Sequence, residues 1–396
     1  MSKEWGAKKI NLSSAVIGGA AALAIGILVG LNWNTIAGQF LPYLGFQKTT
    51  AGVDWSSLDE VYSNLQSYYD GSVDQTTLIE GAKKGIAAAV DDTYTVYMDA
   101  EESASYTKSL HGQVGGGIGV EIGKRDDYIR VVRTLPDNPA RRAGILAGDI
   151  LYKVDGKEVY DKEPVEVSEL VRGEPGTSVD VTIVRDKEEK TYTLTREEIN
   201  NVSAELQYLD DDTAYIRTTR FDTDTGNIIA GFAKEIMNKG VKKVILDLRG
   251  NGGGYTSAAR DLLSLWIDGE PVFTQKSKSA STTTTNAKSG QAILKDMNTV
   301  VLVNSGTASA SEIVAGALQD YGKATILGEK TYGKGVVQSL LTLSDGNLLK
   351  VTSARWYTPK GNSINEIGIT PDKEVINEYD DVNEGKDPQL DAAKAM

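Results

Sequence analysis

Val300-Val301-Leu302-Val303-Asn304-Ser305-Gly306-Thr307-Ala308-Ser309-Ala310-Ser311-Glu312-Ile313-Val314-Ala315 is the stretch whose reading decides the fold. Its first four residues form an uninterrupted apolar run that predicts a buried strand. Asn304 to Thr307 predicts a loop, and a helix is expected to begin near Ser309. Strand, short loop and helix in this order are the repeating unit of an α/β layer. Val244-Ile245-Leu246-Asp247-Leu248 reads as a second buried strand and runs into Arg249-Gly250-Asn251-Gly252-Gly253-Gly254. The region from about residue 203 to 375 is therefore expected to alternate strand and helix around one sheet.

Ser309-x-x-Glu312 is formally a capping box, so one reading of Ser309 is a plain helix N-cap. The same junction would present the side chain at a helix N-terminus, where the Ala310 N–H and the helix dipole can stabilise an oxyanion. Activation of a serine usually needs a histidine, and the chain has one His and no Cys, with His111 far upstream. Thr331-Tyr332-Gly333-Lys334-Gly335 offers a lysine instead. A lysine amine at its ordinary pKa of about 10.4 is almost wholly protonated at neutral pH, so a working base needs burial to lower it by roughly three pH units. In a strand of period two, Lys334, Val336 and Gln338 share a face, which lets Gln338 orient the amine. Gly328-x-x-x-x-Gly333-Lys334 also matches most of a phosphate-binding loop. However, Gly335 stands where Ser or Thr should hold Mg²⁺, and Val336 to Leu341 reads as strand where a helix is required. Ser311 is the close competitor of Ser309 for nucleophile.

Upstream, Gly115-Gly116-Gly117-Ile118-Gly119-Val120-Glu121-Ile122 reads as a glycine loop running into a strand. Tyr128 to Val132 predicts another strand, Pro139 to Gly144 a short helix, and Gly148 to Gly156 a strand and turn. This series resembles a PDZ domain, with the loop ahead of Ile118 in the position of that family's carboxylate-binding loop. Backbone N–H groups exposed by glycine can cradle a C-terminal carboxylate while the peptide adds a strand to the sheet edge. A plain flexible linker is the alternative reading of the glycine run.

From Trp55 to about His111 the pattern is helical. Leu58, Val61, Tyr62 and Leu65 follow a Ser57-x-x-Glu60 box, and Thr77-x-x-Glu80 opens a second helix. Ahead of it, Lys3, Lys8 and Lys9 precede an apolar run from Ala15 to Leu31, at the lower limit for a spanning helix. The positive flank predicts an uncleaved anchor with the N-terminus inside and the rest outside. A cleaved signal peptide ending near Thr35-Ile36-Ala37 is the rival. Ser277 to Ser289 is rich in Ser, Thr and Lys and is expected to be a mobile loop, and the tail beyond Val375 an acidic surface segment. At 396 residues several domains are expected, and a net charge of -13 argues against nucleic acid as a partner.

The run Val303 to Asp320, with Gly328 to Gly335 and Gln338, is similar to the carboxyl-terminal processing proteases, also called tail-specific proteases. The resemblance extends to Asp91-Asp92-Thr93-Tyr94-Thr95, the PDZ segment, Asp247-Leu248-Arg249 with its glycine loop, and Gly368-Ile369-Thr370-Pro371-Asp372. Thr93 departs from the proline usual there. The resemblance implies an α/β crotonase-like protease core with an inserted PDZ domain. It matches Ser309 to the nucleophile, Lys334 to the general base and Gln338 to the residue that positions the lysine. Gly254 matches the oxyanion glycine, acting beside Ala310. It places the substrate C-terminus at Gly116, Gly117, Ile118 and Gly119. Arg172 is similar to the arginine that senses bound peptide, its plain reading being a surface residue closing a helix.

The resulting expectation is a single-pass cell-membrane protein with its catalytic part outside the cytoplasm. Its divisions are an anchor at 1–34, a linker at 35–54, a helical region at 55–112, a PDZ domain at 113–197, a protease core at 198–375 and an acidic segment at 376–396. The expected substrates are C-terminal tails of exported or membrane proteins, with no metal or cofactor. The helical region resembles the part through which relatives dimerise, so a homodimer is expected, and delivery by an adaptor protein stays open. The competing classes are a non-catalytic PDZ scaffold and an acyl-handling enzyme of the crotonase-like fold.

Overall fold

The computed structural model describes residues 54–125, 128–135, 137–278, 281–377 and 386–396. The expected anchor lies outside them, and among the described residues no helix is long and apolar enough to cross a membrane. The chain divides into two compact units, one ending at Leu78 and one beginning at Ile79.

The first unit holds α1 (Ser56–Tyr68) and the start of α2 (Gln75–Ala88). Neither expected serine or threonine box forms. At α1 the Ser56 N–H donates to Asp54 Oδ1 at 3.0 Å, and at α2 the Thr77 N–H donates to Asp74 Oδ1 at 2.7 Å. A short carboxylate caps as well as a hydroxyl and adds a favourable charge at the positive end of the dipole, so the nearby aspartates win. No residue of α1 is buried; Leu58, Val61 and Leu65 are 47%, 56% and 37% exposed, so its apolar stripe faces solvent.

In the second unit the stretch read as wholly helical contains a strand, β1 (Val96–Met98), followed by α3 (Ala100–Leu110) behind an Asp99/Glu102 capping box. Next comes β2 (Gln113–Gly117). The glycines are thus strand rather than free loop, because β9 (Glu197–Asn200) returns alongside and pairs with them antiparallel. Between β2 and β9 lies a sheet ordered β3 (Val120–Arg125), β4 (Tyr128–Thr134), β5 (Ile150–Val154), β7 (Ser178–Arg185), β8 (Glu188–Thr195), with β6 (Lys157–Glu158) on β5. Helices α4 (Pro139–Arg142) and α5 (Pro164–Val171) accompany it. Ile118, Ile129, Val131, Leu151, Val181 and Ile183 belong to its own apolar core.

The α/β part carries a sheet ordered β10 (Ala204–Tyr208), β11 (Thr213–Thr218), β12 (Lys243–Asp247), β15 (Asn298–Val303), β16 (Thr325–Gly328), β19 (Lys373–Glu374), parallel from β11 onward. Its core joins these strands to α6 (Thr225–Lys239), α7 (Thr256–Leu263) and α8 (Ala310–Asp320). A second sheet is ordered β1, β18 (Leu348–Tyr357), β13 (Pro271–Ser277), β14 (Thr282–Asn286), with β17 (Val336–Thr342) also on β18.

Two expectations change here. Within Ser277 to Ser289, Thr282–Asn286 is β14, paired antiparallel with β13. Threonine is β-branched and suits a pleated pair, which outweighed the low complexity of the segment. The tail ends in α9 (Pro388–Lys394), with Ala393 and Gln389 buried. Arg249 draws it in, its Nη1 and Nη2 donating to Asp387 at 2.8 and 2.9 Å while Nη2 also meets Asp247 at 2.6 Å.

Candidate active site

Adjacent parallel strands β12, β15 and β16 end at one edge of the sheet, where α/β proteins build their sites. From β12 comes the loop of Gly252, Gly253 and Gly254; from β15 comes Ser309; from β16 comes the turn of Thr331 to Gly335. Ser309, Lys334, Gln338 and Gly254 line one cavity of about 400 Å³, together with Tyr106, Leu110, Val336 and Trp356.

Ser309 sits at φ 57° and ψ -117°, a left-handed conformation that is strained for a residue with a Cβ. Its hydroxyl makes no cap bond of full geometry, although the expected Ser309/Glu312 box pairing is in place. The strain is balanced by Glu312. This carboxylate is fully buried and accepts four hydrogen bonds: Oε2 from the Ser309 N–H at 2.8 Å and the Lys334 N–H at 2.9 Å, Oε1 from Thr331 Oγ1 at 2.6 Å and the Gly333 N–H at 2.7 Å. Burial pushes its pKa up, and the four donors oppose that rise. Glu312 therefore joins the serine elbow to the lysine turn, a role its local spacing did not reveal.

The glycine loop is locked from below by Asn251, also fully buried. Its Nδ2 donates to the Thr218 carbonyl at 2.8 Å, its Oδ1 accepts the Gly253 N–H at 2.9 Å, and its carbonyl accepts Ser311 Oγ at 2.9 Å and the Ala308 N–H at 3.0 Å. Ser311 is thus buried and engaged, which removes it as a competing nucleophile. Gly253 has φ 100°, and a Cβ there would lie 2.8 Å from Ser309 Cβ and 2.9 Å from the Ala310 N. Gly254, at φ 143°, packs against the Phe221 carbonyl. Among the described residues, neither the Gly254 N–H nor the Ala310 N–H has a protein acceptor, which leaves both available to an oxygen in the cavity.

The lysine side is arranged differently. Lys334 precedes β17, and Lys334, Val336 and Gln338 all line the cavity as the period-two reading expected, although the register with β18 shifts between Val337 and Gln338. Gln338 Nε2 donates to Thr352 Oγ1 at 3.4 Å. Among the described residues Lys334 Nζ donates to no oxygen; it lies 4.7 Å from the ring centroid of Tyr94. Burial and the neighbouring Lys350 lower its pKa, while Glu312 and Asp92 oppose this. The chain's histidine, His111, has Nδ1 2.8 Å from the Thr107 carbonyl and does not line the cavity. Among the described residues no group of three or more His, Asp or Glu could hold a metal ion.

A second cavity, of about 210 Å³, lies in the β3–β8 domain. Gly116, Gly117, Ile118, Gly119 and Arg172 all line it, with Ser168 and Val171 of α5 opposite. Gly116 lies against the Gly173 carbonyl, too close for any side chain, and Arg172 is the C-cap of α5.

Comparison with known proteins gives three family matches: peptidase family S41 over residues 212–375, a PDZ domain over 130–185, and the activating protease CtpB N-terminal domain over 42–102. A probable CtpA-like serine protease of Staphylococcus aureus strain N315 is 34% identical over 357 residues, covering 88% of this chain and 71% of the relative. That of Staphylococcus haemolyticus is 35% identical over 321 residues, 80% of this chain and 64% of the relative. Among solved structures, the photosystem II D1 C-terminal processing protease aligns with TM-score 0.54 at 29% identity, covering 83% of this chain and 89% of that one. A putative S41 protease from Bacteroides fragilis shares the fold, with TM-score 0.60 at 17% identity over 83% of this chain and 92% of its own. The chain belongs to peptidase family S41, as a PDZ-containing serine protease of the C-terminal processing type.

Proposed function

We propose that this chain is a membrane-anchored endopeptidase that takes the C-terminus of an exported or membrane protein in its PDZ groove and cleaves near that end with a Ser309–Lys334 dyad. In the reaction, neutral Lys334 Nζ accepts the Ser309 Oγ proton as the oxygen attacks the scissile carbonyl. The oxyanion is stabilised by the Gly254 and Ala310 N–H groups. Collapse passes the proton to the leaving amine and forms an acyl-enzyme. Water, losing a proton to the same amine, then releases the new carboxylate. Gln338 orients the lysine.

The observation that carries this reading is the strained Ser309 at φ 57°, facing a cavity shared with Lys334, Gln338 and Gly254. The lowered pKa of Lys334 supports its use as a base. Anchoring rests on the apolar run from Ala15 to Leu31 and implies a catalytic part outside the cytoplasm. Self-association through the N-terminal region is favoured by the solvent-facing apolar stripe of α1, and an adaptor could dock there equally.

The test is degradation of an unstructured protein with an apolar C-terminus by the full chain, beside Ser309→Ala and Lys334→Ala. Cleavage by the wild type alone is expected. Tail binding by all three without cleavage would overturn the dyad in favour of a scaffold.

A further inference from the structure

Asp92, Thr93, Tyr94 and Thr95 form a tight turn ahead of β1, beside the base end of the catalytic cavity. The Thr95 N–H returns to the Asp92 carbonyl at 3.0 Å, Thr95 Oγ1 donates to Asp92 Oδ2 at 2.5 Å, and the Tyr94 N–H reaches Asp92 Oδ1 at 3.3 Å. The turn is tied to the second sheet, because the Thr352 N–H donates to Thr95 Oγ1 at 3.2 Å and Val96 pairs with Lys350. A turn so fixed holds the Tyr94 ring in place, and Lys334 Nζ lies 4.7 Å from its centroid. Among the described residues Nζ has no hydrogen bond, so the π face is its nearest specific contact. Gln338 is likewise turned aside, to Thr352, the same residue that anchors the turn.

An aromatic face attracts an ammonium but not a neutral amine. The contact therefore favours the form of Lys334 that cannot act as a base. We propose that Tyr94 is a positioning residue that seats the protonated Lys334 in the resting enzyme, and that Nζ must leave this ring before it can serve Ser309. This rests on Lys334 being the base. On leaving, Nζ gives one proton to solvent and turns its lone pair toward Ser309 Oγ. Burial and the neighbouring Tyr332 hydroxyl push the Tyr94 phenol up to about 12, so the seat offers a neutral ring at working pH. The other ionisable groups acting on Nζ are Lys350 from β18, Glu312 from α8 and Asp92 from the turn itself.

The experiment is the pH dependence of kcat/KM for the full chain with an unstructured substrate, in Tyr94→Leu, Tyr94→Phe and Tyr94→Trp, beside Lys334→Ala. Losing the ring should let Lys334 deprotonate more easily, moving the acid limb of the Leu variant down by about one pH unit and making it about tenfold faster below that limb. Trp, the strongest cation–π face, should move the limb up, and Phe should leave it near the wild type. Where the Leu variant does not fold, the Trp and Phe pair decides. A limb that stays put, or that moves in the same direction with Leu and Trp, overturns the seat, since a merely structural role lowers the rate without moving the limb in opposite senses. An active Lys334→Ala overturns the dyad and the seat together; an inactive one with unmoved limbs overturns the seat alone.

Discussion

Ser309 and Lys334 line the same cavity, yet they are held in opposite ways. Around the serine, Glu312 and Asn251 fix the backbone through buried hydrogen bonds, and the strained elbow persists because its surroundings over-determine it. The lysine backbone shares that lock through its N–H, but its amine rests on a ring and its expected orienting partner points to a threonine. The difference teaches that, in the proposed mechanism, the nucleophile and oxyanion donors are pre-organised, while the last movement is left to two side chains. Only a half that is already rigid can give a small side-chain motion an all-or-none effect on rate.

The sharpest way to break the comparison is Glu312→Gln. The substitution keeps the shape but replaces one accepting oxygen with an NH₂ group that faces donors. Either the pair Ser309 and Lys334 or the pair Thr331 and Gly333 then loses its acceptor. A loss of about 2 to 4 kcal/mol of stability in denaturant titration and of at least about a hundredfold in kcat is expected. Full activity with lowered stability would mean that the lock serves folding alone.

Gly253→Ala tests the oxyanion side. At φ 100° the added Cβ would meet the Ala308 carbonyl oxygen at 2.8 Å and the Ala310 N at 2.9 Å, both backbone atoms that cannot rotate away. The loop must shift from the serine, and a fall in kcat of about a hundredfold with KM little changed is expected, the size seen when one oxyanion donor is lost. Gln338→Ala acts on the lysine half and removes the amide proposed to orient the amine. Its expected cost is smaller, about tenfold in kcat, because a single net hydrogen bond is worth about 1 kcal/mol.

This contrast also separates what the sequence made legible from what it did not. The strand–loop–helix at Val300 to Ser309 and the Gly-Lys-Gly turn are local patterns, so the α/β layer, Ser309 and Lys334 were legible in the residues themselves, whereas Gly254 was implied by the family resemblance. Glu312 looked like half of a capping box because its partners Thr331, Gly333 and Lys334 are remote in the chain, and period reading cannot show which distant N–H groups converge on one carboxylate. Tyr94 was hidden for the same reason, as was Asn251 inside a glycine-rich loop. The tail was read as acidic surface because Asp387 looks solvated until Arg249 is brought beside it by β12. The period-two reading did bring Lys334, Val336 and Gln338 to one cavity, but it could not show that the Gln338 amide turns to Thr352 on a neighbouring strand.

The smallest expected effect sharpens the mobile half from the side opposite the ring. Lys350, on β18, repels the Lys334 ammonium and joins burial in lowering its pKa, whereas Tyr94 favours the charged form. Lys350→Gln removes the repulsion, so Lys334 stays protonated to higher pH. With the neutral amine as the proposed active form, the acid limb of kcat/KM should rise, by about half a pH unit for a partly solvated charge pair, and the rise should shrink as salt is added. Lys350 also lies 5.2 Å from the Tyr106 ring, a contact that glutamine loses without entering the dyad. Combined with Tyr94→Leu, the two limb shifts should oppose each other and bring the double variant back toward the wild-type profile. A sum that instead follows one single variant would mean that ring and lysine act on different states of Lys334, which would place the resting and working amines in separate positions rather than in one.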